Sequence, residues 1–396
     1  MNVCMYTPSA AGGHARYTHE LLEALAEVGE AQDVRPSLIT SADLEPKYRD
    51  ARYRIYDVLP PLKHRSSFPN ALKWGYSRFR HYYDRERTFL GWVESHAAES
   101  MGIHFQEYTP WLAPQHFRWL KARGRMLFYT VHNLYPHRHL PGPFSSLYRY
   151  WIRSAWRQCD ALFVHTEDLR SRLAEFLGSG HPPLFVTPHG VWKVADAADA
   201  APTSIEDRAS SRNLLFFGVI RRNKGLPVLL RAMEHLGDCT LTVAGAFEEP
   251  RYRNEIKEQV GGLPTGRVVL IDRFVEDEEI AQLFSKSALA VLPYTTFAAQ
   301  SGVLHDALAH GSPVVVSDVG TMGDSVRRWG IGKVVPPDDP EALAHAIRGM
   351  LMPQNYADAV RAVEEVRQTL SWERTAELTI EAYRSAQSSG PRATTQ

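Results

Sequence analysis

Short, unbroken apolar runs recur along the chain, and between them apolar residues return every three or four positions. The runs include Val3–Tyr6 and Ala161–Val164, then Leu214–Phe217, Val268–Ile271, Leu289–Leu292 and Val314–Val316, with strand-like segments interrupted by a polar residue at Ile103–Phe105, Met126–Val131 and Thr240–Ala244. Each is strand-like and too short for an amphipathic helix, and the unbroken Leu289–Leu292 and Val314–Val316 predict buried parallel strands. The intervening stripes, such as Tyr17, Leu21, Leu22, Leu25 and Ala26, or Val303, Leu304, Ala307 and Leu308, predict helices packed on those strands. Further helices are expected over Arg251–Val260, from the acidic start Glu276–Glu279, over Pro336–Leu351, and from Trp372. Alternating strand and helix is the rhythm of a doubly wound α/β sheet. The rhythm breaks once, in the Ala-, Asp-, Ser- and Pro-rich stretch Lys193–Arg212. That break predicts a first domain over 1–192, a linker over 193–212 and a second domain over 213–370. A helix over 371–388 and a disordered tail over 389–396 complete the chain.

The stretch Leu289–Asp318 shows the unit at its clearest. A strand ends at Pro293, a small polar turn follows, Ser301 opens a helix, Gly311 closes it, and Pro313 forbids its continuation before the next strand. The helix start lies at the carboxyl edge of the sheet, where free N–H groups favour an anion. Ser301 can cap, Gly302 lets a ligand approach the backbone, and Asp306 lies one turn deeper on the same face. That spacing suits a diphosphate with a ribose beyond it, or an ordinary α/β unit in which Asp306 is solvated. After Gly218 comes Val219-Ile220-Arg221-Arg222-Asn223-Lys224-Gly225, a basic loop between a strand and a helix. Cations at a helix start are electrostatically unfavourable unless something anionic sits there, so phosphate binding is favoured over a solvated loop. The first strand runs into a turn containing Gly12 and Gly13, which is not the GxGxxG of nicotinamide binding. It serves either a ligand or a tight turn alone. His132, at the carboxyl end of a strand, stands where a working side chain would be placed, whereas a histidine taken at random is more often structural.

The pattern PY, then QSGVL, then DALAHGSPVVVSDVG resembles the donor-nucleotide motif of the retaining glycosyltransferases of the group 1 type, family 4. That family has the GT-B fold, two facing Rossmann-like domains with a cleft between them. Its motif is a Glu, seven residues, a second Glu, then A-x-A-x-G-x-P-V-V. Aligned on Gly311 and Pro313, the second Glu falls on Asp306, which keeps the carboxylate, and the first on Ala298, which does not. Gln300-Ser301-Gly302 reads as a variant of the loop. The resemblance implies that Gly12 and Gly13 lie beside the donor phosphates and the acceptor, and that His132 borders the transferred sugar. It implies that Arg221 and Lys224 meet the diphosphate, with Gly218, Gln300, Ser301, Gly302, Val303 and Asp306 completing donor binding. It also implies that the last helix crosses back to the first domain. The expected activity is a retaining transfer of a sugar from a nucleotide-diphosphate sugar to a hydroxyl of a glycan or lipid-linked acceptor, in polysaccharide or glycolipid assembly. The nucleotide sugar is then a substrate, and neither metal nor cofactor is required. No dedicated protein nucleophile is implied. The alternatives are a nucleotide-sugar epimerase of the same fold, or a catalytically idle nucleotide-sugar or membrane-binding relative, which the gap at Ala298 suggests.

Composition narrows the partners. Over 396 residues, Lys plus Arg and Asp plus Glu each number 45, so no global field argues for nucleic acid. Cys4, Cys159 and Cys239 have no metal-like spacing and read as reduced core residues. No signal peptide or bilayer-spanning run is apparent, which predicts a cytoplasmic protein, at most on the inner face of the cell membrane. The exception to the even charge is local: residues 63–87 interleave bases with Phe68, Trp74, Tyr76, Phe79, Tyr82 and Tyr83. This suits an anionic membrane or a lipid-linked acceptor, or a large helix with snorkelling bases. A second aromatic, basic run covers Tyr148–Arg157.

Overall fold

In the computed structural model, each of the apolar runs becomes a strand of one of two parallel sheets. The structure describes residues 1–61, 71–96, 101–134, 143–194, 205–296 and 301–388, and within these the side chains other than those of 71–75, 143, 205 and 206. Two units form, one of Met1–Gly190 with Trp372–Gln396 and the other of Val191–Ser371.

In chain order the first unit runs β1 (Asn2–Tyr6), α1 (Gly12–Glu30), β2 (Arg35–Ser41), β3 (Arg54–Leu59), α2 (Ala71–Ser95), β4 (Met101–Phe105) and α3 (Ala113–Ala122). It continues with β5 (Met126–Thr130), α4 (Pro143–Trp156), β6 (Ala161–Val164), α5 (Glu167–Leu177) and β7 (Leu184–Val186). The seven strands lie in the order β3-β2-β1-β4-β5-β6-β7. Successive side chains of a strand point to opposite faces. Ile103 and Phe105 of β4 join a core with Phe89 of α2, Phe117 of α3, Ile152 of α4 and Leu173 of α5. His104 points the other way, to a face with Phe128, Phe163 and Tyr383.

The second unit runs α6 (Ile205–Ser211), β8 (Asn213–Phe217), α7 (Leu226–Glu234), β9 (Thr240–Ala244), α8 (Pro250–Gly261), β10 (Val268–Ile271), α9 (Asp277–Ser285) and β11 (Leu289–Leu292). Then come α10 (Gly302–Ala309), β12 (Val314–Ser317), α11 (Met322–Trp329), β13 (Gly332–Val335), α12 (Pro340–Met350) and α13 (Pro353–Thr369). Its six strands lie in the order β10-β9-β8-β11-β12-β13, and one apolar core fills each face. The chain then returns to the first unit as α14 (Trp372–Ser388), which packs along α1 with Trp372, Ile380 and Tyr383 fully buried. The sequence-derived reading of two Rossmann-like α/β domains is therefore correct.

Several local expectations are corrected. The end of the 193–212 stretch is not a featureless linker: 205–211 form α6, held by Arg208, whose guanidinium donates to the carbonyls of Ser287 at 3.4 Å and Gly311 at 3.2 Å. Pro336–Leu351 gives helix only from Pro340, and a second helix, α13, follows it after the break at Pro353. The start of α9 behaves as expected, with Glu276 and Glu279 forming a reciprocal capping box. All three cysteines are buried, and among the described residues none forms a disulfide. Among the described residues, no helix is long and apolar enough to cross a membrane.

Candidate functional site

In an open parallel sheet the ligand crevice forms where the strand order reverses, outside the carboxyl ends of the two strands. In the second unit that point lies between β8 and β11. The loop after β8 leaves through Gly218 at φ +93, and Arg222–Lys224 wind into a single 3₁₀ turn. Gly225, at φ +68, then starts α7. A side chain at Gly225 would sit 1.8 Å from the carbonyl oxygen of Pro293, so only glycine lets this loop press against the end of β11. Asn223 completes the clasp, its carbonyl accepting from Thr295 N–H at 3.0 Å and its amide donating to the Thr296 carbonyl at 3.1 Å.

The clasp gathers several of the residues singled out in the sequence. A Cβ placed on Gly218 would lie 3.0 Å from Lys224 Nζ and 3.1 Å from Val303 Cγ2. Lys224 is half-buried. Burial pushes its ammonium down to about 8, Arg221 adds to the fall, and Asp306 opposes it. Asp306 is buried, not solvated as the plainer reading of the sequence had it, and its carboxylate acts on both Lys224 and Tyr294. Arg221 is exposed and paired with Glu248 at 3.3 Å, so it is present but not free. Ser301 does not cap α10 with its side chain; its hydroxyl bonds instead to the Tyr294 hydroxyl at 3.2 Å. The first turn of α10 therefore has neither a side-chain cap nor an acidic residue, and nothing stands within 4 Å of a Cβ built on Gly302. An uncapped helix start beside a lysine is suited to an anion. Gln300, and Ala298 where the motif lacks its first carboxylate, lie outside the described residues.

The corresponding reversal in the first unit lies between β1 and β4. After β1, Gly12 takes φ +75 and begins α1, again with no side-chain cap and no acid in the first turn. A Cβ on Gly12 or Gly13 would meet nothing within 4 Å. After β4 comes Gln106, with Oε1 3.0 Å from His132 Nε2. His132 Nδ1 lies 3.0 Å from His165 Nε2, so both nitrogens of the ring are engaged. Burial first, and then the neighbouring His14, His165, His189 and His104, hold His132 well below the usual histidine range. His14 stands edge-on to His132, with ring centroids 4.7 Å apart.

Sequence reasoning missed Tyr294 as more than part of the PY signature, although its hydroxyl and ring border both Ser301 and Lys224, the latter 5.7 Å from the ring centroid. It also missed Trp192, whose indole N–H donates to the Gly302 carbonyl at 3.3 Å and so steadies the first turn of α10. Gln106 had no local signal either, and His165, which ends a strand in the sequence as His132 does, is brought to His132 only by the pairing of neighbouring strands. Among the described residues no cluster of His, Cys, Asp or Glu could hold a metal ion.

Comparison with known proteins bears on the family and the fold. The profile of the group 1 glycosyl transferases matches residues 211–352, and that of Glycosyltransferase Family 4 matches residues 11–193. A glycogen synthase of Mycobacterium tuberculosis is 28% identical over 243 residues, covering 58% of this chain and 55% of its own. The chain spans about half the length of the curated relatives it matches. Among solved structures, sucrose-phosphate synthase of Thermosynechococcus elongatus superposes with a TM-score of 0.72 at 20% identity over 98% of this chain and 100% of that one. Anabaena HepE in complex with UDP-glucose gives 0.69 at 16% identity over 97% and 100%. Profiles on both halves and a fold shared end to end lead to one assignment: the chain belongs to the group 1 glycosyltransferases, with their two-domain GT-B architecture.

Proposed function

We propose that the protein is a retaining hexosyltransferase that moves a sugar from a nucleotide-diphosphate sugar to a hydroxyl of a glycan or lipid-linked acceptor. One observation carries the proposal: Gly218, Lys224, Val303 and Asp306 converge at the strand reversal of the second unit, beside the uncapped start of α10. A half-buried lysine with a lowered pKa beside a helix start without a side-chain cap is an arrangement for charge that grows on a departing diphosphate. Arg221 adds positive potential at that point, and exchanging Glu248 for phosphate would draw it in. Asp306, whose charge favours the Lys224 ammonium, is assigned the ribose hydroxyls. His132 and the Gly12-Gly13 turn border the sugar and the acceptor hydroxyl in the first unit. No side-chain nucleophile is invoked, so the new bond forms on the face the diphosphate leaves. No metal is invoked either, because Lys224, Arg221 and the N–H groups answer the diphosphate charge.

The acceptor reading extends to the inner face of the cell membrane. Exposed Tyr76, Phe79 and Tyr83 alternate with Arg80 and Arg87 along α2, which suits an anionic lipid surface. Residues 63–70 of this stretch lie outside the described residues. Arg85 does not belong to that face: it is buried, its guanidinium 5.0 Å from the Tyr82 ring centroid.

The test is a thermal-shift screen of the purified protein against UDP, GDP, ADP and TDP and their sugars, with and without Lys224→Ala. A ligand that binds the folded state raises its stability in step with concentration. A shift for one base that is lost in the variant identifies the donor. Absence of any shift removes the nucleotide-sugar reading.

A further inference from the structure

Four histidines surround Tyr17 in the first unit: His132, His165 and His189, with ring centroids 4.8, 5.2 and 5.1 Å from the phenol, and His14 against His132. The hydrogen bonds among them run in one direction. Thr187 presents a carbonyl oxygen to His165 Nδ1 at 3.1 Å, and a carbonyl can only accept. His165 therefore carries its hydrogen on Nδ1. The peptide that imposes this is itself fixed, since Thr187 N–H donates to the Val164 carbonyl at 2.8 Å. A neutral His165 then has a lone pair at Nε2, and His132 Nδ1, 3.0 Å away, must be the donor to it. That leaves His132 Nε2 as a lone pair.

The atom placed at that lone pair is Gln106 Oε1, 3.0 Å away, which is also an acceptor. Two lone pairs cannot share the contact. Either the Gln106 carboxamide turns to offer its nitrogen, or an incoming O–H or N–H takes its place. The one species that would donate from both ring nitrogens is an imidazolium. Burial and the neighbouring histidines oppose that charge at His132, and burial lowers His165 to about 4.

We infer that His165 is a positioning residue: it holds His132 as the Nδ1–H tautomer, so that His132 offers a ligand a lone pair and recognises a hydroxyl or amine, not a phosphate or carboxylate oxygen. This deepens the reading of His132 given above and rests on it. The two fail separately, because the tautomer is read without turnover and the nucleotide screen does not depend on it.

The measurement is a long-range ¹H–¹⁵N correlation spectrum of the intact protein, near neutral pH, with the His132 and His165 ring signals assigned by through-bond connection to their own backbone in a uniformly ¹³C,¹⁵N-labelled sample. Both rings are expected to show a protonated Nδ1 and an unprotonated Nε2. His165→Leu removes the acceptor for His132 Nδ1–H, and the His132 signals are expected to move to the Nε2–H form, which satisfies Gln106 Oε1 as placed. His165→Gln, able to accept from His132 at one end of its amide and donate to Thr187 at the other, is expected to restore the original form. A wild-type His132 found as the Nε2–H tautomer or doubly protonated overturns the inference, and so does a His132 spectrum unchanged in His165→Leu. The wild-type spectrum decides the point even if neither variant folds.

Discussion

Lys224 is the residue at which protonation and the proposed diphosphate contact would be linked. Its pKa in the fold, about 8, lies below the ordinary lysine value of 10.5, so the fold disfavours the charged form. That cost is fully present below about pH 8 and is relieved as pH rises toward 10.5, where the unfolded chain also loses the proton. The rise in nucleotide-free stability between about pH 8 and pH 10.5 is therefore expected to disappear in Lys224→Met, read by urea unfolding across that range. The same variant should lose nucleotide binding. In the wild type, nucleoside diphosphate affinity should be flat below about pH 8 and then weaken by up to about tenfold per unit, as Lys224 surrenders its charge. Calorimetric titrations showing constant affinity from neutral to alkaline pH would remove Lys224 from the diphosphate contact. Gly225→Ala tests the clasp beneath it. With the Cβ 1.8 Å from the Pro293 carbonyl oxygen and a left-handed φ, the substitution is expected to cost about 2 kcal/mol or more in the same unfolding assay. Lys224 was legible in the sequence because a base just after a buried strand has few other reasons to be there. The need for glycine at 225 was not, since it comes from Pro293, in a loop far along the chain. The bond from Ser301 to Tyr294 was hidden for the same reason: a serine before a helix reads as a cap, and only packing shows the hydroxyl turned elsewhere.

Among elements, the buried strands were the most readable, because a strand covered on both faces spells an unbroken apolar run. β3 escaped notice at the edge of its sheet, where half-exposed positions dilute the signal, as Arg54–Leu59 shows, and β2 beside it because Arg35, Pro36 and Ser37 open it before its buried half. α13 escaped because Pro353 starts a helix as readily as it ends one. The surface helices carry a different lesson. Five of the six exposed aromatics among the described residues, Tyr76, Phe79, Tyr83, Phe144 and Tyr150, lie on α2 and α4. Phe79 also stacks on Trp111, which precedes α3. The sequence showed the density of rings and bases, but not that Arg85 and Glu86 turn inward, where Glu86 accepts from Thr109 and Tyr6 hydroxyls at 2.5 Å. Paired substitutions, Phe79→Ser with Tyr83→Ser and Phe144→Ser with Tyr150→Ser, separate the two stripes. Sedimentation with phosphatidylcholine vesicles is expected to rise severalfold when phosphatidylglycerol is included, to fall with salt, and to drop in the α2 variant. Equal recovery with neutral and anionic vesicles would end the membrane proposal.

At the scale of the whole molecule, the chain composes one unit from a single segment and the other from two. Val191–Ser371 is continuous, whereas Met1–Gly190 needs α14 from far along the sequence. The need is tight. A Cβ on Gly190 would stand 2.5 Å from the Trp372 ring, and Thr375 donates to the Pro188 carbonyl at 2.7 Å. His104 bonds to the Tyr383 hydroxyl, and burial lowers its pKa to about 3. Removing residues 372–396 would open the faces of α1 and His104 to water, and would leave Tyr17 without Trp372, whose ring centroid lies 5.3 Å away. The truncated chain is expected to lose the first unit while keeping the second, so that limited proteolysis yields a stable fragment near Val191–Ser371 that still gives the nucleotide-induced thermal shift. Survival of both units in the truncated chain would contradict the packing described. Synthesis adds a consequence in time. As the polypeptide leaves the ribosome, residues 1–190 emerge first yet leave the α1 and His104 face of their sheet uncovered, while the later segment can fold as soon as it is complete. The half of the protein made first is therefore finished last, and until Trp372–Ser388 arrives its apolar surface is what a chaperone would find.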